Sequence, residues 1–313
     1  MANSETFTSL VTIARPIHWV KNVSLFAALV FTGGLYTPEL FMKVFWAFIA
    51  FNFATSATYI INDIFDLKLD RLHPLKKDRA LASGKLSVPV ATLEAAFLIF
   101  LSLVLANSLN PLFFLAVGGY ILMQIFYSAG LKNLPILDIL LIAAGFIIRV
   151  YAGAVVVDAH LSVWFLLCVI SVALFLASGK RRAELNIIAT TSEITRKSLL
   201  RYKRELLNSY VTMFGNAAWM SWALFSFFES PKASPNLWLF LAELSKTTTI
   251  NKLLMITIPI TIFGIMRYEA LIFEERSEAP EKLLLTDKAL IASVALWVGI
   301  IIWIFYGGVS TTF

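Results

Sequence analysis

The 313-residue chain has one cysteine, three histidines and only 15% charged residues. Each scarcity excludes something. Cys168 on its own forms no intrachain disulfide, which rules out a disulfide scaffold. His18 and His73 stand in loop-like settings without the paired spacing of a zinc ligand set. So little charge, against 59% hydrophobic residues and a mean hydropathy of +0.79, cannot cover a water-facing surface, which argues against a soluble enzyme and a disordered chain. There is no fixed-period repeat and no low-complexity tract. The opening MANSETFTSLVTIARPIHW lacks a basic start leading into a short apolar run and a small-residue cleavage site, and reads as uncleaved.

What the chain does have is long apolar runs, at 22–36, 40–61, 89–107, 111–131, 135–157, 161–178, 208–229, 250–272 and 288–306, each bounded by Pro, Gly, Asn or charge. These predict an all-α, polytopic membrane protein of about nine transmembrane helices forming a single domain over residues 1–313. The first span is short and contains Gly33-Gly34. Most of the 26 basic residues fall in alternate loops, so the positive-inside rule places the N-terminus and the loops at 62–88, 179–207 and 273–287 in the cytoplasm, with Phe313 outside. That rule explains most of the net charge of +6, which leaves no reason to expect nucleic acid as a partner. Long charged loops on one face are where chemistry is placed. Leu199, Tyr202 and Leu206, opposite Lys197, Arg201 and Arg204, predict an amphipathic surface helix over Ser192 to Asn208.

At the end of the second span stands Asn62-Asp63-Ile64-Phe65-Asp66-Leu67-Lys68-Leu69-Asp70. Steps of three and four residues put Asp63, Asp66 and Asp70 on one helical face, where they repel one another unless a cation intervenes. Hard oxygen ligands favour Mg²⁺, which keeps several waters and commonly bridges to substrate phosphates. Arg71, Lys76, Lys77, Arg79 and Lys85 follow at once and suit a metal-bridged polyphosphate. The competing reading is a solvated helix end followed by topological charge.

The pattern Asn62-Asp63-x-x-Asp66-x-x-x-Asp70 resembles the signature of the UbiA superfamily of intramembrane prenyltransferases, which are nine-helix bundles. Arg15-Pro16-Ile17-His18-Trp19-Val20-Lys21-Asn22 is similar to the opening of its decaprenyl-phosphate phosphoribosyltransferase branch. So are Asp70-Arg71-Leu72-His73-Pro74-Leu75-Lys76-Lys77 with Arg79 and Ala82-Ser83-Gly84, Tyr127-Ser128 with Leu131-Lys132, and Gly145-Phe146 with Arg149 and Ala152-Gly153. Arg267-Tyr268, Pro280-Glu281 and Asp287-Lys288 extend the likeness over nearly the whole chain, with Ala80 departing from the proline more usual in the branch. Superfamily members that use a prenyl diphosphate carry a second acidic motif, DxxxD, after the sixth span. Here that place reads Ser178-Gly179-Lys180-Arg181-Arg182-Ala183-Glu184. The resemblance therefore implies transfer of 5-phosphoribose from phosphoribosyl pyrophosphate to a polyprenyl phosphate in the bilayer. It leaves the oligomeric state open.

On that reading Asp63, Asp66 and Asp70, aided by Asn62, hold Mg²⁺ on the diphosphate, and Lys132 binds the leaving pyrophosphate. Tyr127 donates to a phosphate oxygen, Lys21 meets a lipid phosphate, and Arg71, Lys76, Lys77 and Arg79 line the polyphosphate. Lys180, Arg181 and Arg182 bind one phosphate end of the donor, while Glu184 touches a metal or pairs with Arg181. For Tyr127 and Lys132 an interfacial aromatic and a snorkelling lysine remain open. Arg149, inside the fifth span, must face the bundle interior as a phosphate anchor or a structural one. Asp138, about 16 Å away along the helix, is a metal or ribose contact. His18 and Trp19 fix the N-terminal segment. Two rival functions stand beside this: a prenyltransferase acting on an aromatic or other small acceptor, against which the missing DxxxD counts, and a lipid transporter, against which the acids' position at one surface counts.

Overall fold

The computed structural model describes residues 2–73, 76–190, 199–229, 252–274 and 286–307, and every regular element among them is helical. The expected all-α class is what is found. Seven described helices are long and apolar enough to cross a bilayer: Pro38–Leu72, Val88–Leu109, Pro111–Ala129, Leu137–Val156, Val163–Asn186, Leu253–Phe273 and Lys288–Tyr306. Two expected spans differ. The first is a 16-residue stretch, Pro16–Phe31, in which a 3-10 segment at Pro16–Leu25 passes into α2 (Phe26–Phe31). Gly33, at φ 80°, lies just beyond its end. The seventh is a 25-residue helix, Arg204–Phe228, whose Arg204, Glu205, Asn208 and Asn216 make it more polar than the others.

The chain divides into two compact units. The first comprises Met1–Leu29, Leu35–Ala159 and Ile188–Tyr202. It holds α1 (Ala2–Ile13), α3 (Pro38–Leu72), α4 (Val88–Leu109), α5 (Pro111–Ala129) and α6 (Leu137–Val156). Helix α3 starts sharply because Pro38 follows Thr37 at the N-cap, with Glu39 in the first turn and an Lys43–Glu39 pair at 3.1 Å. At 35 residues it is about 52 Å long against a hydrocarbon core of about 30 Å, so its C-terminal turns outrun the membrane. Ala47, Ala50, Ala54 and Ala57 are fully buried and let α4, α5 and α6 pack closely on it. Ser102 seals one such approach by donating to the Ala50 carbonyl at 2.7 Å. Around them Leu25, Leu29, Phe51, Phe113, Val117 and Tyr120 form the apolar core.

The second unit comprises Val30–Gly34, His160–Ile187 and Lys203–Phe313. It holds most of α7 (Val163–Thr190), then α8 (Arg204–Phe228), α9 (Ile258–Phe273) and α10 (Lys288–Tyr306). Its core is aromatic. Phe31 meets Phe165, Trp222, Phe225 and Phe305 at centroid distances between 4.9 and 6.0 Å, two of them edge-on near 90°. Trp222 donates to Thr257 Oγ1 at 2.9 Å, which satisfies the indole in an apolar setting.

The amphipathic helix expected over 192–208 falls partly outside the described residues. The described part breaks it: a 3-10 turn at Leu199–Arg201 is followed by non-helical Tyr202 and Lys203 before α8 starts at Arg204. The reason is local. Leu199 and Tyr202 are buried, and the Tyr202 hydroxyl donates to Asp138, in the same unit, at 2.7 Å.

Candidate active site

The acidic signature lies on the C-terminal turns of α3. It continues a polar seam that starts deep in the helix: Asn52, Ser56, Tyr59, Asp63, Asp66 and Asp70 follow one another at four- and three-residue steps. A membrane helix presents such a face to its own bundle only if partners meet each group. The 3-10 segment supplies them, running antiparallel to α3. Asn22 donates to Asn52 Oδ1 at 2.6 Å and Thr55 Oγ1 at 3.2 Å, Trp19 donates to Ser56 Oγ at 3.0 Å, and Lys21 donates to the Tyr59 hydroxyl at 3.4 Å. The His18 ring lies 4.8 Å from that of Tyr59. His18 and Trp19 thus fix the N-terminal segment as expected.

At the top of the seam each carboxylate meets a cation. Arg15 donates to both oxygens of Asp63, at 2.5 and 2.7 Å. Arg79 bridges Asp63 and Asp70 at 3.2 and 2.7 Å. Lys132 donates to Asp66 Oδ1 at 2.5 Å and Asn62 Oδ1 at 3.1 Å, and Asn62 donates in turn to Asp66 Oδ2 at 3.1 Å. Asp63, Asp70 and Lys132 are buried, so charges of both signs are held in place here out of water. The structure therefore brings together Asn62, Asp63, Asp66, Asp70, Arg79 and Lys132, which sequence reasoning had grouped only in part. Tyr127 stands half-buried in the last turns of α5, while Arg71 and Lys77 are exposed and Lys76 is half-buried.

Other expected site residues have partners of their own. Arg149 is buried. Its Nε donates to Asn22 Oδ1 at 2.6 Å, and its terminal nitrogens donate to the Gly145 carbonyl at 2.6 Å and the Tyr120 hydroxyl at 2.9 Å. The guanidinium also lies 4.8 Å from the Tyr120 ring centroid and 5.8 Å from those of Phe51 and Phe146. Of the two roles open to it, this is the geometry of a structural anchor. Asp138 is fully buried and its Oδ1 accepts from Tyr202 and from the Ile139 N–H at 2.9 Å.

In the second unit, Arg181 pairs with Glu184 one turn on, one of the two contacts expected of Glu184. Arg182 donates from Nε to Asn208 Oδ1 at 2.5 Å and from a terminal nitrogen to Asn186 Oδ1, with its guanidinium 5.4 Å from the Phe273 ring. Arg204 donates to the same Asn186 oxygen at 3.1 Å. Lys180 is half-buried.

Two contacts escaped sequence reasoning. Arg15 counted only as topological charge and as part of a motif. Tyr202 counted only as an apolar position of an amphipathic helix. Neither carries a local signal for its partner, 48 and 64 residues distant in sequence.

The three acids do not converge into a cage. Among the described residues no group of three or more His, Cys, Asp or Glu side chains is close enough to hold a metal ion. Their spread along one face fits the other mode open to Mg²⁺, in which one or two carboxylates per ion share it with phosphate oxygens. The donor set is all hard oxygen, and basic side chains already stand on it.

The fold and this network define a class: polytopic helical membrane proteins with an acid-and-cation cluster at the end of a long helix. The model of the UbiA prenyltransferase family matches residues 22–244, and the chain belongs to that family. It is therefore an integral membrane protein with an enzyme's family membership. It is 36% identical over 95% of its length, and 86% of the relative's, to a decaprenyl-phosphate phosphoribosyltransferase from Corynebacterium glutamicum. Identity to the protein of that name from Mycolicibacterium smegmatis is 34%, over 94% of this chain and 91% of the relative. A UbiA homologue from Archaeoglobus fulgidus bound to DMAPP and Mg²⁺ shares the fold, with a TM-score of 0.66 at 19% identity over 95% of this chain and 99% of that one. The same homologue is also solved bound to Cd²⁺.

Proposed function

We propose that the whole chain, residues 1–313, acts as one catalytic domain that transfers 5-phosphoribose from phosphoribosyl pyrophosphate to a polyprenyl phosphate. The observation that carries this is the pairing of an acidic cluster fit for a metal-bridged diphosphate with a basic run, Lys180-Arg181-Arg182, where a second acidic motif would serve a prenyl diphosphate. The names of the relatives at 34–36% identity support it. Asp63, Asp66 and Asp70, with Asn62, would hold Mg²⁺. A bound Mg²⁺ supplies charge stabilisation on the departing oxygens.

The chain's own residues do the rest. Lys132 and Arg79 stand on the acids and neutralise charge as the ribose C1–O bond breaks and its electron pair leaves with pyrophosphate. An oxygen of the lipid phosphate forms the new bond to C1. That oxygen is already anionic near neutral pH, so no general base is required, in keeping with the lack of a Ser-His-Asp set. Lys21, Arg71, Lys76, Lys77 and Tyr127 add donors around the phosphates. Arg182, sharing an amide oxygen with Arg204, offers paired positive charge for the donor's 5-phosphate. The N-terminus and the catalytic loops face the cytoplasm.

Purified protein given labelled phosphoribosyl pyrophosphate and polyprenyl phosphate should form a lipid-linked phosphoribose and release pyrophosphate. Turnover of a prenyl diphosphate with an aromatic acid, and none with the ribosyl donor, would replace this reading with the prenyltransferase one. For orientation, Ser87→Cys on a Cys168→Ser background should react with an impermeant thiol reagent only from the cytoplasmic side.

A further inference from the structure

Asp63 is 4% exposed and both its oxygens are taken by one guanidinium, that of Arg15. A buried carboxylate cannot stand bare, and here one terminal nitrogen of Arg15 makes a charge-assisted bond to each of its oxygens. Yet a divalent cation at Asp63 needs one of those oxygens at about 2.0–2.1 Å, and a guanidinium beside it would repel it. The two cations therefore compete for one carboxylate.

Arg15 is built for such an exchange. It sits at φ 51° and ψ 61°, a left-handed conformation that a non-glycine residue keeps only where its surroundings impose it. It joins α1 to the 3-10 segment, whose later residues are pinned. Trp19 is held by Ser56, Asn22 by Asn52 and Arg149, and the Leu25 carbonyl lies only 2.0 Å from where a Cβ on Gly153 would stand. With the segment fixed from Trp19 onward, exchange falls to the Arg15 side chain and its own backbone. While bonded to Asp63 its guanidinium carbon also lies 5.2 Å from the centre of the Tyr59 ring, a contact that does not depend on the carboxylate.

We propose that Arg15 is the resident counter-ion of Asp63, a positioning residue that balances the carboxylate's charge and keeps it aimed while the site is empty. It yields an oxygen when a divalent cation arrives, staying over Tyr59. This rests on the reading of Asp63, Asp66 and Asp70 as the metal-polyphosphate site. Arg79 cannot take the role alone, because it spans two acids with a single bond to each.

The test is Mn²⁺ binding, read by electron paramagnetic resonance, to the full-length protein in nanodiscs without donor. Arg15→Gln removes the competitor, so Mn²⁺ should bind about tenfold tighter, the equivalent of about 1.4 kcal/mol. A merely structural role for Arg15 predicts weaker binding. Asp63→Asn should weaken binding by at least about tenfold. If Asp63→Asn weakens Mn²⁺ binding but Arg15→Gln leaves it unchanged or weaker, the counter-ion role is overturned and the metal site stands. If Asp63→Asn, Asp66→Asn and Asp70→Asn all leave affinity unchanged, the metal-site reading falls and this role with it. Should Arg15→Gln fail to assemble, Arg15→Lys keeps the charge without the planar guanidinium that lies over Tyr59 and should tighten Mn²⁺ by about threefold; no change or weaker binding overturns the proposal.

Discussion

Each unit buries arginine within a membrane span, and Arg149 and Arg182 differ in what lies beyond their asparagine partners. Arg149 in the first unit and Arg182 in the second are 4% and 2% exposed, each takes an asparagine oxygen, and each lies against an aromatic ring. Around Arg149 the asparagine leads onward to neutral groups, Asn52 and Thr55. Around Arg182 the asparagine oxygen is shared with a second guanidinium, that of Arg204. One cation solvated by neutral dipoles is a tie between chain segments. Two cations on one amide oxygen repel each other, and an anion between them relieves that repulsion. Burial and residue type are therefore poor guides to which intramembrane arginine works on substrate; the next residue along the hydrogen-bond path is the better one.

The largest effect should come from the acids of the first unit, which set the background for that comparison. Asp63→Asn, Asp66→Asn and Asp70→Asn should each lower turnover by about a hundredfold or more while leaving the protein folded. Steady-state assays over a Mg²⁺ titration check it. Wild-type turnover with unchanged Mg²⁺ dependence in all three would reduce the cluster to a charged helix end.

Next comes the anchor. Arg149→Met would take from Asn22 Oδ1 and the Tyr120 hydroxyl the bonds that Arg149 donates and should destabilise by about 2–4 kcal/mol, with little change in donor KM for the protein that still folds. Gly153→Ala attacks the same segment through its backbone. The added Cβ would lie 2.0 Å from the Leu25 carbonyl oxygen, so a cost of about 3 kcal/mol or more is expected. Thermal melts in one detergent compare both with wild type. A raised donor KM and unaltered melting in Arg149→Met would erase the difference between the two arginines.

Arg182→Gln sharpens the comparison from the other side. Losing one charge-assisted bond of about 1.5–3 kcal/mol should raise donor KM by about tenfold to a hundredfold. A donor lacking the 5-phosphate should show most of that loss already in the wild type. Arg181→Gln should do less, because Arg181 is committed to Glu184. Equal losses with both donors would assign Arg182 to diphosphate binding or to packing.

Much of this was legible in the chain. Asp63, Asp66 and Asp70 sit on one face because helical spacing requires it, and apolar runs of bilayer length found the long helices. What was not legible depends on distant partners. Arg15 reaches Asp63 through a left-handed residue that no local pattern signals, and Tyr202 leaves its helical register because a buried carboxylate 64 residues away draws it. The first span reads as a membrane helix by composition. Only Phe26–Phe31 of it is α-helix, and its start belongs to the 3-10 segment, whose Lys21, Asn22 and Trp19 all have partners on α3 and whose Leu25 carbonyl comes close to Gly153.

The smallest expected effect concerns a third arginine, Arg267 in the second unit, whose partner is an acid. Asp287 accepts from its Nε at 3.1 Å and its terminal nitrogen at 2.6 Å, and also caps α10 by accepting from the Leu290 N–H at 2.8 Å. The Arg267 hydrogen bonds, followed by the Leu290 cap, pull the Asp287 carboxyl down to about 2. A carboxyl depressed in the folded state stabilises it above the unfolded value of about 3.9 and loses that contribution as pH falls through about 2. Because the pair is open to solvent the effect is screened and small. Asp287→Asn keeps a capping oxygen but no charge, so wild type should melt slightly higher at pH 5 and the gap should close towards pH 2. High salt should narrow it at every pH. A gap that persists unchanged to pH 2 would mean that Asp287 matters as a cap alone, and that the charge on Arg267 is indifferent to its acid.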